Sequence, residues 1–302
     1  MTVEGRATVP VTAPSPEVVA ALARLGLVAV SSSVVGGWRN GRRTHRVTLA
    51  DGGTLKVRQV PSVTKVALAA GLAVALDDAG FPPPIAVVGR FTVEAWVEGT
   101  PLSALPLTHA HVDAAADLLG RLHARTHVPG HAFRRELPLA SVLTRFRRQL
   151  ADLAAQGTVS QEEAALLVET AAGLPERATR GVIHGDFAAD NLVLTPDGRL
   201  VSIDNERLRF HFLDFDLARV WTRWPLPAWA WTRFERRYAT WGRPPADADA
   251  DVDADVDVDV AQAWRVVATV HRAHRLSRAR GADPIATLGA LGALRALAGG
   301  PG

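Results

Sequence analysis

Residues 182–206 constrain the fold more than any other part of the chain. Residues 192–194 are apolar, Thr195-Pro196-Asp197-Gly198 carries turn chemistry, and residues 200–203 are apolar again. Proline presets φ at the start of a turn and glycine supplies a positive φ near its end, so the pattern predicts an antiparallel β-hairpin. Such a hairpin brings Asn191 and Asp204 to its open end, and Asp186 lies in the loop that feeds its first strand. Two carboxylates and an amide oxygen, with no thiol or imidazole among them, suit a hard cation such as Mg²⁺. Phosphoryl transfer uses parts of this kind: one Asp orients the attacking hydroxyl, and an Asn–Asp pair holds Mg²⁺ on ATP.

The chain has 302 residues, 48% of them hydrophobic and 22% charged, which describes an ordinary soluble globular protein with ample core. It has no cysteine, so disulfides, thiolate zinc sites and cysteine nucleophiles are excluded. Residues 1–14 lack the apolar core of a signal peptide, and no apolar run is long enough to span a bilayer. The expectation is a cytoplasmic protein with no membrane partner. Of 34 basic residues only Lys56 and Lys65 are lysines. That arginine bias makes the basic balance weak evidence for nucleic-acid binding, and none is expected. It also makes Lys56, inside an apolar strand pattern, conspicuous.

A helical pattern at 15–25 leads into strand patterns at 28–35, 43–50 and 54–60. Gly36, Gly37 and Asn40 stand in the connection between the first two strands. A helix is predicted over 62–79, closed by Gly80 and three prolines, then strands at 85–88 and 91–96. Beyond residue 98 the patterns are mainly helical, over 113–127, 139–155, 161–174, 214–224, 228–241 and 261–278, with a last helix in the tail. From Asp247 to Asp259 every second residue is Asp, seven in all. A strand there would align like charges on one face, so a solvated insertion at about 246–260 is expected. Without those seven charges the net +3 would rise to +10.

His184-Gly185-Asp186-x4-Asn191, followed by Ile203-Asp204-x-Glu206, resembles the aminoglycoside phosphotransferase and choline kinase group of small-molecule kinases. Gly36-Gly37-x-x-Asn40 resembles their nucleotide loop, and Leu55-Lys56-Val57 the strand with the phosphate-binding lysine. Residues 94–99 resemble the hinge between lobes, with Glu94 and Trp96 at the nucleotide. The helix ending at Leu122-His123 and Asp216-Leu217-Ala218 extend the match, which covers most of residues 25–220 in the correct order.

The resemblance implies an α+β, protein-kinase-like fold of two lobes. A small β-rich N-lobe (1–97) would bind nucleotide, and a larger, mainly helical C-lobe (98–302) would hold the catalytic and acceptor sites. It implies ATP as phosphate donor and a small hydroxylated molecule as acceptor, with Asp186 catalytic and Asn191 and Asp204 on Mg²⁺. His184 and Asp216 read as loop braces. His271-x-x-His274 has metal-like spacing but no third ligand, so two exposed helical histidines are expected. Trp221, Trp224, Trp229, Trp231 and Trp241 lie interleaved with arginines after the metal residues, as helix core or as acceptor contacts. The arginines favour a neutral or anionic acceptor over a polycation.

One departure stands out. Kinases orient the phosphate-binding lysine with a Glu on the next helix, whereas residues 62–76 contain no acidic residue. Either Lys56 is held by another group, or the chain binds nucleotide without turnover. A nucleic-acid-binding protein is the remote alternative, on the cluster Arg134, Arg135, Arg145, Arg147 and Arg148.

Overall fold

The computed structural model describes residues 12–35, 43–60, 63–76, 79–125, 138–175, 178–242, 256–278 and 284–297. Strands β1 (Ala29–Val34), β2 (Thr44–Leu49), β3 (Thr54–Gln59), β4 (Ala86–Val88) and β5 (Phe91–Ala95) form one antiparallel sheet, ordered β1-β2-β3-β5-β4. Helix α1 (Pro16–Ala23) starts at Ser15, whose hydroxyl accepts from the Val18 N–H, with Pro at the first helical position where its missing N–H costs nothing. The two-residue period of β3 sorts its side chains. Leu55 and Val57 pack with Val47, Phe91 and Val93 against Val18 and Leu22 of α1. Lys56 and Arg58 belong to the opposite face, which is why a lysine interrupts an apolar strand. Helix α2 (Val63–Val74) contributes Ala69, Leu72 and Ala73 to a second core.

The rest of the described chain is mainly helical: α3 (His109–His123), α4 (Leu139–Ala155), α5 (Gln161–Ala172), α6 (Leu213–Arg223), α7 (Ala228–Ala239), α8 (Val256–Ser277) and α9 (Pro284–Leu297). Among them run β6 (Thr100–Pro101), β7 (Arg180–Ile183), β8 (Leu192–Leu194), β9 (Leu200–Ser202) and β10 (Arg209–Phe212). β6, β8 and β9 make one antiparallel sheet, and β7 pairs with β10. The largest core gathers around Trp264 of α8, which is fully buried and touches Phe212 and Phe215 with ring centroids 5.2 and 5.8 Å away.

This is the expected α+β arrangement, a small antiparallel sheet followed by a helical region. The hairpin at 192–203 forms as predicted, with Leu192 opposite Ser202. Three features differ from expectation. Helix α3 starts at His109 because Thr108 caps it, accepting from the His111 N–H at 3.2 Å, and it stops at His123. The β7–β10 ladder was not anticipated. Helix α8 starts at Val256, five residues before the expected 261, so Asp257 and Asp259 of the acidic repeat stand in its first turn. Residues 36–42, with Gly36, Gly37 and Asn40, and residues 243–255 lie outside the described residues. Among the described residues no helix is long and apolar enough to cross a membrane.

Candidate active site

Strand β7 buries Val182 and Ile183 and delivers the chain into the loop 184–191. His184, fully buried, ties that loop down. Its Nδ1 accepts from the Asp186 N–H (3.1 Å), so the proton sits on Nε2 and is donated to Ser202 Oγ (2.8 Å). Ser202 in turn donates to Asn205 Oδ1 (3.2 Å). Burial lowers the His184 pKa, which keeps the ring neutral. The second brace is Asp216 in the first turn of α6. Its carboxylate accepts from the His184 N–H (2.8 Å), the Gly185 N–H (2.9 Å) and His123 Nε2 (3.3 Å), while His123 Nδ1 meets Tyr238 Oη at 2.7 Å. Burial alone would raise the Asp216 pKa, but the hydrogen bonds it accepts, from His123 first and then from the backbone, outweigh it and bring the value to about 2. Gly185 has φ +72, and a Cβ there would lie 3.0 Å from Arg209 Nη1 and 3.2 Å from the Arg207 carbonyl oxygen. Both braces therefore act on the loop, as expected of His184 and Asp216.

The hairpin gathers the next two groups. The Ile203 N–H bonds the Asn191 carbonyl (2.8 Å), extending the ladder one pair past Leu192–Ser202. Asn191 Nδ2 donates to the Asp186 carbonyl (2.8 Å), which ties the amide to the loop 184–191. Asp204 follows directly with φ 62, the only positive φ outside glycine among the described residues. Asp tolerates this left-handed geometry better than most side chains, and such strain clusters at functional sites. Its carboxylate meets Lys56 Nζ and Arg58 Nη1, the latter at 3.0 Å. Burial opposes the ionised form, but Lys56 and Arg58 hold the Asp204 pKa below the usual range. Asp204 and the Asn191 amide supply two hard oxygen donors, which fits Mg²⁺, an ion that completes its shell with phosphate oxygens and water.

The missing partner of Lys56 is found across the sheet. Lys56 on β3 stands opposite Glu94 on β5, and Nζ lies 3.1 Å from Oε2. Burial alone would neutralise this lysine, yet Glu94 and Asp204 raise its pKa and keep it charged. Glu94, anticipated as a hinge residue at the nucleotide, thus holds the lysine that the helix leaves without an acid. Arg58 was not anticipated. It reaches Glu206 Oε1 (2.9 Å) as well as Asp204, so β3 aims two cations at the hairpin end.

Beside this cluster lies a cavity of about 510 Å³, walled by Val35, Pro82, Ala95, Trp96, Val193 and Ile203, with Lys56 and Glu94 also lining it. Its wall draws on the end of β1, on the connection after β5 and on the hairpin. Gly99, with φ +145, lets that connection pass the hairpin, since a Cβ there would sit 2.3 Å from the Leu194 carbonyl oxygen. The Arg46 guanidinium covers the Trp96 ring at 4.8 Å. A mostly apolar slot with a few convergent polar groups is what a planar heterocycle requires.

Around Asp186 the structure assembles three guanidinium groups. Arg223 Nη1 is 2.6 Å and Arg219 Nη2 3.6 Å from Oδ1, and Arg207 Nη1 is 3.0 Å from Oδ2. Against the effect of burial, these cations lower the Asp186 pKa. The interleaved arginines therefore divide: Arg219 and Arg223 face the site, while Arg233 and Arg237 bind Asp113 and Asp117 and fasten α7 to α3. The tryptophans divide too, for Trp224 is core and Trp231 stacks on Phe234, whereas Trp229 is exposed. His271 and His274, expected to be exposed, are instead partly buried. They face Gln149 (3.0 Å) and Asp152 (2.9 Å) and join α8 to α4.

The sequence profile of the phosphotransferase enzyme family (APH) matches residues 36–251. No curated protein matches the chain significantly. Among solved structures, a macrolide 2'-phosphotransferase type I superposes with a TM-score of 0.66 at 15% identity, covering 94% of this chain and 98% of its own. A putative aminoglycoside phosphotransferase from Ralstonia eutropha gives 0.66 at 17% identity, over 94% and 96%. A choline kinase from Streptococcus pneumoniae gives 0.65 at 15%, over 94% and 98%. The fold is shared, and the anticipated kinship is borne out.

Proposed function

The chain belongs to the phosphotransferase enzyme family, and from that premise we propose that it is an ATP-dependent O-phosphotransferase acting on a hydroxyl of a small molecule. The observation that carries the reading is the convergence of Asp186, Asn191 and Asp204 at one end of the hairpin, against Lys56 and beside a slot of nucleotide dimensions. In this reading residues 1–97 bind the nucleotide and residues 98–302 carry catalysis and the acceptor. The apolar slot with Trp96 takes the base, and Gly36, Gly37 and Asn40 belong to the loop over the phosphates.

Asp186 orients the acceptor hydroxyl and receives its proton as the oxygen attacks the γ-phosphorus. The new P–O bond forms on one side while the bridging bond to the β-phosphate breaks on the other, releasing ADP. Lys56, held by Glu94, neutralises phosphate charge, and Arg58 adds a second cation on the same face. Asn191 and Asp204 would hold Mg²⁺, which when bound draws charge from the phosphate oxygens. A nucleotide binder without turnover was suggested by the missing helix acid. Glu94 supplies that acid from another element, which favours turnover. ADP release with Mg·ATP over a panel of hydroxylated acceptors tests the reading. It stands if release depends on an acceptor and on Asp186, and it fails if nucleotide binds but no acceptor stimulates release.

A further inference from the structure

The cations of this site fall into two groups. Lys56 and Arg58 converge on Asp204, where the donor phosphates are placed. Arg207, Arg219 and Arg223 converge instead on Asp186, where the acceptor hydroxyl is placed. This second group comes from two elements, the turn after Asp204 and one face of α6, on which Arg219 and Arg223 are four residues apart. Three positive charges meet one negative charge. Arg209 adds a fourth nearby, and Asp216, its strongest acidic neighbour, already accepts from two backbone N–H groups and His123. Among the described residues no other carboxylate pairs with the cluster.

Partly buried guanidinium groups without matching carboxylates are unfavourable unless a ligand completes them. Their exposures differ in a useful way. Arg219 is only 7% exposed and its Nε has no hydrogen-bond partner, whereas Arg207 and Arg223 are 31% and 22% exposed. Arg219, the most buried of the three, thus has little room to move, and the two more open arginines can turn outward. They must turn at least in part, because Asp186 has to accept a hydroxyl proton on an oxygen they now cover.

We propose that the acceptor carries an anionic group, carboxylate or phosphate, beside the hydroxyl that Asp186 addresses, and that Arg207 and Arg223 bind it. This inference rests on the phosphotransferase reading and names its substrate class. Planar guanidinium groups match both anions with paired, charge-assisted hydrogen bonds. A polycationic or quaternary-ammonium acceptor would meet like charge, and a neutral sugar would leave the excess uncompensated.

The test uses the full chain with Mg·ATP and three sets of probes: glycerate, glucuronate and glucose 6-phosphate; glycerol and glucose; choline and kanamycin. ADP release gives kcat/KM, and calorimetry with a non-hydrolysable ATP analogue gives binding. The anionic probes should exceed the neutral ones by about tenfold or more in kcat/KM, and their KM should rise with salt. The carboxylate and phosphate arms decide which anion is meant. Arg207→Gln and Arg223→Gln should each cut the anionic-to-neutral ratio about tenfold, chiefly through KM, and Arg223→Lys should retain part of it. The salt series needs no variant, so a folding defect leaves the test intact. Preference for neutral or cationic probes, or anions that bind no better than glucose, would overturn the proposal while the phosphotransferase reading stands. A loss in the arginine variants that is equal for every acceptor would overturn it too, assigning those arginines to the transferred phosphoryl group. Anion binding without ATP-dependent turnover would keep the anion site and remove the phosphotransferase reading.

Discussion

Lys56 and Glu94 face each other across β3 and β5, with Nζ 3.1 Å from Oε2, although they lie 38 residues apart in the chain. The pair sets the position of Lys56, and it does so from within a sheet rather than from a helix. A sheet partner is held by the ladder on both sides, so the lysine keeps its place without help from α2.

Glu94→Gln should therefore act through Lys56. The amide leaves the lysine with Asp204 as its single acidic partner among the described residues, and in the proposed reaction Lys56 would then compete with Mg²⁺ for that carboxylate. The expected result is a rise in KM for ATP with a kcat/KM loss of about 10–100-fold, and little change in melting temperature. Steady-state kinetics against ATP and a thermal melt separate this outcome from simple unfolding.

This pair also marks where sequence reading stops. The hairpin at 192–203 was legible because Pro196 and Gly198 carry turn chemistry within one four-residue stretch, and helices such as α4 were legible from their period. The opposition of Lys56 and Glu94 depends on the register between strands that are not neighbours in sequence. The arginines on Asp186 escaped for the same reason, since Arg207 follows the hairpin while Arg223 ends α6. The four-residue strands β7 and β10 are too short to show a period. In the acidic repeat, Val256 and Val260 have helical spacing, but the alternating charge hid that signal.

Asp216 makes a prediction about stability. Asp216→Asn replaces an acceptor-only carboxylate with an amide facing two backbone N–H donors and His123, and should cost about 2–4 kcal/mol. The native carboxylate, depressed from 3.8 to about 2, contributes stability that is present above pH 4 and is lost as pH falls through 2. That contribution is of order 2 kcal/mol. Urea unfolding from pH 5 to pH 2 should show this loss in the unmodified chain and its absence in Asp216→Asn.

His271 predicts an earlier acid sensitivity. Burial first, and then Arg219, Arg275, Arg145 and Arg209, lower its pKa from 6.5 to about 3. The unfolded chain takes up a proton below pH 6.5 that the folded chain refuses, so stability falls as pH drops below that value. At pH 5 the cost is about 2 kcal/mol. Replacing the ring by Gln, which still faces Gln149, should flatten the unfolding midpoint between pH 7 and pH 5.

Trp264 anchors the helical core with no exposed surface, in contact with Phe212 and Phe215 at the entry to α6. Trp264→Ala should cost about 3–5 kcal/mol. Because α6 carries Asp216, Arg219 and Arg223, activity should be lost at a lower temperature than in the parent, which parallel melting and activity curves will show.

In the proposed reaction Asp186 addresses the acceptor hydroxyl while Asn191 and Asp204 serve the nucleotide. The most direct measurement is acceptor-dependent ADP release by Asp186→Asn, with Mg·ATP binding followed in the same samples. The expected result is nucleotide affinity within about threefold of the parent and turnover reduced about 10²–10⁴-fold. Turnover within a few-fold of the parent, with nucleotide bound, would contradict the account.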